Sequence, residues 1–369
     1  MKPKFKDFYP VISIDSQTIQ IGDEPNNAYE ITDPDGILIK IIPLLNGKLD
    51  TKQIFNLIEE RTFSFLELEN IIKTLDEIGL IEDSSIDNLK DLNDWQRVRY
   101  NNNLNYFNVF SNTNKTKSSY QKKLLETKVL VLGMGGLGSN LLMQLSGLGI
   151  GHIKFLDCDE VELKNLNRQV LYSERYIGQP KTKVGFERLS DFNTTINYEM
   201  IDKRISSAED LENIITKDLD FVFCAADNPP MLINSWVNEL CVKNNVPFIS
   251  GGVGLTCGSF YSVKPTISPC LECYYTFIKD QFGQVLDAYD NSNNDYNAAI
   301  LPNISLVASM MTTDFLRIHL QIAEPISLGK KVIVNFLTSE TTFENPWVNN
   351  SQCEVCSIEK SMATNLFPK

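Results

Sequence analysis

The stretch from Lys128 to Gln169, KVLVLGMGGLGSNLLMQLSGLGIGHIKFLDCDEVELKNLNRQ, limits what this chain can become more than any other. An apolar run, Val129 to Leu132, breaks at a glycine cluster made of Gly133, Gly135, Gly136 and Gly138. A helix rich in small residues should follow, then a second strand over Ile153–Leu156 that ends on Asp157 and Asp159. This is the order in which a doubly wound, mainly parallel, Rossmann-like α/β sheet receives a nucleotide. Glycines let the backbone turn sharply and approach a phosphate, while the helix start adds unpaired N–H groups and a positive dipole end. Asp157 stands where a ribose-binding acid belongs. Taken alone, the pattern points to an NAD-dependent dehydrogenase.

Composition narrows the setting. With 369 residues, 43% of them hydrophobic, the chain can bury a full core and divide into two domains. A net charge of −13 argues against sequence-independent nucleic-acid binding, which needs a basic surface. No apolar run approaches the roughly 20 residues that cross a bilayer, so no membrane association is expected. The opening MKPKFKDFYP has no apolar segment behind its basic residues, as a signal peptide would. A cytoplasmic protein is expected, in which eight cysteines serve as metal ligands, reactive thiols or buried residues.

Residues 1–85 read as a separate winged-helix-like module. A hairpin is expected from Val11–Ile14 and Thr18–Ile21, and a helix over 37–45 that Gly47 ends. Asp50 with Gln53, and Ser64 with Glu67, are capping boxes that start two more helices, the second stopping at Gly79. Leu80 and Ile81 should form a short returning strand. Residues 86–126, rich in Asn, Lys and Ser, read as a polar linker or arm. The nucleotide domain then covers 127–369, with helices expected at 182–193, 207–216 and 303–321 and strands at 197–205, 220–225 and 331–336. The tract 281–299 reads as a mobile loop.

Several residues fall where phosphate chemistry needs them. NLNRQ places Asn165, Arg168 and Gln169 just past the second strand, and GQPKTK supplies Lys181. Two cations beside a phosphate loop suit a triphosphate, although each could be an ordinary surface charge. Asp227 ends the strand FVFCAADN at the carboxyl edge of the sheet, where it could hold Mg²⁺ or merely cap the next helix. Cys270–Cys273 and Cys353–Cys356 are two C-x-x-C pairs, a pattern that reads as a Cys₄ zinc site rather than a thioredoxin-like pair. Cys158, Cys224 and Cys241 lie in or beside apolar elements and should be buried. Cys257 is also expected to be buried and inert.

Two resemblances add to this reading. LLNGKLDTKQIFNLI and IIKTLDEIGLIED make the first module similar to the PqqD-type domains that hold the leader of a ribosomally made peptide as an added strand. GMGGLGSN, FLDCDEVELKNLNRQ, GQPKTK and CAADN resemble, in order and spacing, the ThiF/MoeB superfamily of adenylating enzymes. NRQVLYSE, LINSWVN and CVKNNVPFISGG bring it nearest to the peptide-modifying members, those that mature microcin C and pantocin A.

The second resemblance implies ATP on the Gly133–Gly138 loop, with Asp157 on the ribose and Asp159 and Gln169 beside it. Asn165, Arg168 and Lys181 would meet the phosphates, Asp227 would hold catalytic Mg²⁺, and the four paired cysteines would hold zinc. It further implies a homodimer acting on a precursor peptide. The family arginine expected in RYNNN is Asn102 here, with Arg97 and Arg99 as candidate substitutes. Residues 274–300 contain no cysteine, which favours direct use of an adenylate over thioester transfer. The expected activity is ATP-dependent adenylation of a peptide carboxyl or carboxamide, followed by cyclisation or nucleotidyl transfer. The alternatives are a weakly catalytic partner that only presents the leader peptide, and the oxidoreductase.

Overall fold

The computed structural model describes residues 1–25, 28–58, 63–278, 298–344 and 347–357. The chain forms two compact units, Met1–Lys123 and Leu124–Lys369.

In the first unit, β1 (Pro3–Phe5) is followed by a three-stranded antiparallel sheet of β2 (Val11–Ser13), β3 (Thr18–Ile21) and β4 (Tyr29–Thr32), in that order. The hairpin is as expected; β4 is an addition. Helix α1 (Ile37–Ile41) gives way to a 3-10 turn, Ile42–Leu44, because Pro43 supplies no amide for an α-helical bond. Helices α2 (Thr51–Leu57) and α3 (Phe65–Glu77) start at Asp50 and Ser64, each with both bonds of its capping box formed. Strand β5 (Ile81–Asp83) returns to pair with β1 rather than with the hairpin. Ile21, Ile41, Ile54, Leu68 and Leu80 fill the core.

The stretch expected as a linker instead carries α4 (Asp94–Arg99), α5 (Asn101–Asn108) and α6 (Lys117–Glu126). Lys6 binds part of it to the rest of the unit. Its side chain is 1% exposed, and Nζ donates to the carbonyls of Gly79 (2.6 Å), Asn108 (2.6 Å) and Ser111 (2.7 Å). These carbonyls follow or end α3 and α5, where helices leave acceptors unpaired. Burial pushes the Lys6 pKa down to about 8, so the three-donor ammonium still prevails at neutral pH.

In the second unit, strands β6 (Lys128–Leu132), β7 (His152–Asp157), β8 (Asn197–Asp202), β9 (Phe221–Cys224), β10 (Phe248–Val253), β11 (Cys257–Val263), β12 (Lys331–Asn335) and β13 (Thr341–Phe343) form one sheet. The order is β13-β12-β11-β10-β9-β6-β7-β8. Five neighbouring strands, β10-β9-β6-β7-β8, are parallel, and the last three in sequence add an antiparallel edge. Helices α7 (Gly136–Leu148), α8 (Lys181–Phe192), α9 (Glu209–Glu212), α10 (Leu232–Asn244) and α12 (Leu301–Leu320) flank it, while 271–278 forms a further helical stretch, α11.

Consecutive residues of β10 show which helices lie where. Ser250 Oγ donates to Asn234 of α10, whereas a Cβ on Gly251 would meet Met311 of α12. Alternation along a strand therefore puts α10 and α12 on opposite faces. The helix expected over 207–216 shrinks to the four residues of α9, and the loop expected over 281–299 lies outside the described residues except at its last two positions. No helix among the described residues is long and apolar enough to cross a membrane.

Replacing Lys6 by Met removes the ammonium from three carbonyls, of which Asn108 keeps the Ser111 hydroxyl as donor, a loss on the order of 1–3 kcal/mol. Amides of α3 should exchange with solvent faster in Lys6→Met than in the native chain; unchanged protection would show that the lysine holds nothing together.

Candidate active site

The chain runs from β6 outward to β7 and β8, then returns to the other side of β6 as β9. Open α/β sheets leave a crevice at the carboxyl ends of their strands where the order reverses in this way. Here a cleft of about 760 Å³ opens there, lined by the residues that follow β6, β7, β8 and β9 and by the end of β10.

The glycine loop forms its floor. Gly133 has φ +87°, and a Cβ there would come within 2.9 Å of the Ala226 amide nitrogen. At Gly138 a Cβ would lie 1.8 Å from the Gly133 carbonyl oxygen, so α7 can start this close to β6 only without a side chain. Gly135 differs: its nearest neighbour would be 3.9 Å away. The protein leaves that position open, as close approach of a ligand to the backbone requires. Met134 pins the loop from both sides. Its N–H donates to Asp157 Oδ2 at 2.6 Å, and its carbonyl accepts the Tyr172 hydroxyl at 3.0 Å. Burial, then the charges of Asp157 and Asp159, raise the Tyr172 pKa well above the usual phenol value, so the hydroxyl remains a donor.

The charged groups lie around this floor. Lys181, at the start of α8 and 4% exposed, reaches Asp159 Oδ2 at 2.9 Å. Burial pushes the Asp159 carboxyl up, but the hydrogen bond and charge of Lys181, with Arg204, outweigh it and hold the group below its usual range. Arg168 Nη1 donates to the Lys164 carbonyl and to Asn167, leaving the guanidinium at the cleft wall. Asn165 is buried, and its side chain caps the turn by accepting the Glu162 amide. Gln169 is 4% exposed and borders the cleft, and its Oε1 has no partner. Such an orphan calls for a donor from whatever occupies the cleft. Asp227 is exposed, with Oδ1 accepting from its neighbour Asn228 at 3.0 Å, so most of its acceptor capacity faces the opening. These groups fit a magnesium–triphosphate: a helix start, two cations, an unsatisfied amide and a carboxylate.

Every nucleotide-site residue expected from the sequence thus falls on or directly behind one cleft. Residues not foreseen also line it, above all Lys203, Arg204, Ile205 and Ser206. Lys203, Arg204 and Ile205 were read as the tail of a strand, but β8 ends at Asp202 and releases them over the sheet edge. Lys203 is tied to the Asp210 carboxylate at 2.9 Å. In the other unit, Arg97 is bound to the carbonyls of Leu89 and Leu92 and to Asp87, while the Arg99 guanidinium lies 5.4 Å from the Trp95 ring centroid.

Cys270, Cys273, Cys353 and Cys356 converge although 83 residues separate Cys270 from Cys353. Their sulfurs lie 4.0 Å (Cys270–Cys273), 3.6 Å (Cys270–Cys353) and 3.4 Å (Cys273–Cys356) apart. Tetrahedral coordination with metal–sulfur bonds of about 2.3 Å requires edges of roughly 3.8 Å, so the cluster can hold a metal ion. The Asn350 amide points at Cys273 Sγ, a donor of the kind that supports thiolate ligands. Two other cysteine expectations are corrected: Cys257 is exposed at the start of β11, and Cys158 is half-buried at the cleft. Cys224 and Cys241 are buried as expected.

Comparison with known proteins agrees with this geometry. The chain is 26% identical over 247 residues to the adenylyltransferase and sulfurtransferase MOCS3 of Arabidopsis thaliana, covering 67% of this chain and 51% of that one. It therefore spans about half the length of that relative. It is 30% identical over 245 residues to a sulfur carrier protein adenylyltransferase of Thermus thermophilus, covering 65% of this chain and 85% of that protein. The fold matches the crystal structure of Escherichia coli MccB with ATP at a TM-score of 0.76 and 22% identity, over 96% of this chain and 99% of that one. The family model described as ThiF matches residues 100–355, and the chain belongs to the ThiF family.

Proposed function

We propose that the chain uses ATP and Mg²⁺ to adenylate a carboxyl, or side-chain carboxamide, of a ribosomally made precursor peptide in the biosynthesis of a peptide antibiotic. One observation carries the reading. A single cleft gathers the start of α7, Arg168, Lys181 and Asp227, then continues past them along small and apolar residues. The first part suits a triphosphate and the second an acyl group. The microcin C7 biosynthetic enzyme MccB, whose fold this chain shares, has been solved both with ATP and in complex with N-formylated MccA. An oxidoreductase gains no comparable support, because nicotinamide chemistry gives Asp227 and the paired cations no task.

A carboxylate resists attack because oxide is a poor leaving group. One of its oxygens attacks the α-phosphorus of ATP, forming a P–O bond. The bond from that phosphorus to the bridging oxygen breaks, and pyrophosphate departs with the electron pair. The acyl carbon then carries AMP, which a nitrogen or carbon nucleophile can displace; a further transfer would leave the nucleotide on the peptide. The protein's share is positioning and charge. Backbone amides after Gly133 would cradle phosphate, Asp157 would take the ribose, and Arg168 and Lys181 would offset charge. Asp227 would hold Mg²⁺, which supplies further charge neutralisation when bound.

In the first unit, β2 and β4 are the edges of the small sheet, and strand addition there would hold the leader. The β4 edge is favoured, since Tyr29 carries it towards the end of α3 through its hydroxyl on the Ile78 carbonyl at 3.4 Å. A homodimer, a cytoplasmic setting and zinc at the four cysteines complete the reading.

Incubated with ATP, Mg²⁺ and the small peptide encoded beside its gene, the protein should change that peptide's mass by a gained nucleotide or a lost water. An unchanged mass would contradict the reading. Asp227→Ala should abolish peptide-dependent ATP–pyrophosphate exchange while leaving leader affinity intact; exchange at the native rate would remove Asp227 from the chemistry. Elemental analysis of the purified chain should find one zinc per chain, and Cys353→Ser should lose it together with several degrees of melting temperature. A native chain that is metal-free and equally stable would refute the zinc assignment.

A further inference from the structure

Strand β10 outlasts its parallel neighbour. Its register with β9 ends at Ser250 opposite Cys224, but Gly251, Gly252 and Val253 remain paired to Phe260, Ser259 and Gly258 of β11. Gly252 and Val253 therefore have a partner strand on one side only, while the Gly251 amide makes the last bond of the ladder to Cys224; all three line the cleft. The hairpin bond from the Gly254 amide to the Cys257 carbonyl, 2.8 Å, sets the alternation. Gly252 turns its amide and carbonyl to β11, whereas Val253 turns both of its groups, and Gly251 its carbonyl, to the opposite edge beyond the end of β9. Among the described residues no backbone or side-chain group bonds to Val253 on that edge. Pro229 and Pro230 also line this end of the cleft, and prolines bring no amide donor.

Gly252 adds an independent observation. It lies in regular strand, so its backbone does not need glycine, and a Cβ there would meet nothing within 4 Å. Gly251 is the opposite case, with Met311 Sδ, Phe260 Cβ and the Ser259 carbonyl all at 3.0 Å or less. The fold thus explains Gly251 and leaves Gly252 unexplained. A side chain at 252 would project to the same sheet face as Ser250, the face of α10, from which Ile233 also lines the cleft. Its absence keeps that space open.

We propose that the end of the peptide substrate lies extended along this free edge of β10 as a short added strand, bonded to the Gly251 carbonyl and to Val253 and passing over Gly252, with the group to be activated directed to Asp227. This rests on the peptide-adenylating reading and specifies how its substrate is held. Backbone bonds at the edge provide affinity for any extended chain, and the space above Gly252 admits the side chain that faces it. Beyond Asp227 this end of the cleft offers Pro229, Pro230, Ile233 and Val253, so the segment held there is uncharged and modest in size.

The test uses the full-length protein and the small peptide encoded beside its gene, with ATP–pyrophosphate exchange as the readout. Gly252→Val should raise the peptide KM by about tenfold or more, the scale of one or two lost contacts, with the ATP KM unchanged. With the native protein, analogues N-methylated singly along the last residues of the peptide should lose activity at alternate positions, as strand pairing requires. A peptide KM unmoved by Gly252→Val, an equal rise in both KM values, or N-methylation effects without alternation would each overturn the added strand while leaving adenylation in place. No exchange with the native protein would instead overturn the peptide-adenylating reading, and this inference with it.

Discussion

The contact between Gly138 and the Gly133 carbonyl governs the second unit. Any side chain at 138 would occupy the space of that oxygen, so α7 and β6 can be joined by so short a turn only through glycine. From this turn follow the direction of α7, the exposure of its first amides and the approach of α12. Ile304 of α12 lies where a Cβ on Gly136 would point, and Ser305 donates to Asn140 at 2.8 Å. The glycines are therefore structural at 133, 136 and 138. At 135 the open space is left for a ligand.

The cleft has two chemical halves, and the order reversal at β6 places them end to end. One half is charged. Lys181 and Asp159 already satisfy each other there, so an incoming phosphate must compete with a carboxylate for the lysine. Such a pair keeps a nearly buried ammonium solvated by protein and positions it in advance, which suits a reaction whose main demand is fixed charge. The other half offers backbone and small side chains. The four paired cysteines bring residues near 353 back to the start of the helical stretch at 271.

Local signals were legible wherever the residues that make a structure are close in sequence. Both capping boxes in the first unit form as read, because Asp50 with Gln53 and Ser64 with Glu67 complete their bonds within one turn. The glycine turn, Asp157 and the two C-x-x-C pairs carry chemistry that few other residue types support. What escaped depends on partners distant in sequence. Helices α4 and α5 lie in a stretch crowded with Asn, and their order owes much to tertiary contacts such as the Lys6 bonds at Asn108 and Ser111. The Asn93–Gln96 capping box was nonetheless present as a signal for α4. The antiparallel edge of β11, β12 and β13 breaks the simple strand–helix alternation, and β8 stops before Lys203 for reasons no local pattern records. Cys257 followed an apolar, glycine-rich run and was read as buried, yet it opens β11 at the sheet's end and is exposed.

The central claim is that the cleft directs a peptide oxygen to the α-phosphorus of ATP. Product analysis after incubation with ATP, Mg²⁺ and the precursor peptide tests it most directly. The account predicts that AMP, free or bound to the peptide, and pyrophosphate appear only when peptide is present. Peptide-dependent release of ADP and phosphate, which marks attack at the γ-phosphorus, would contradict it.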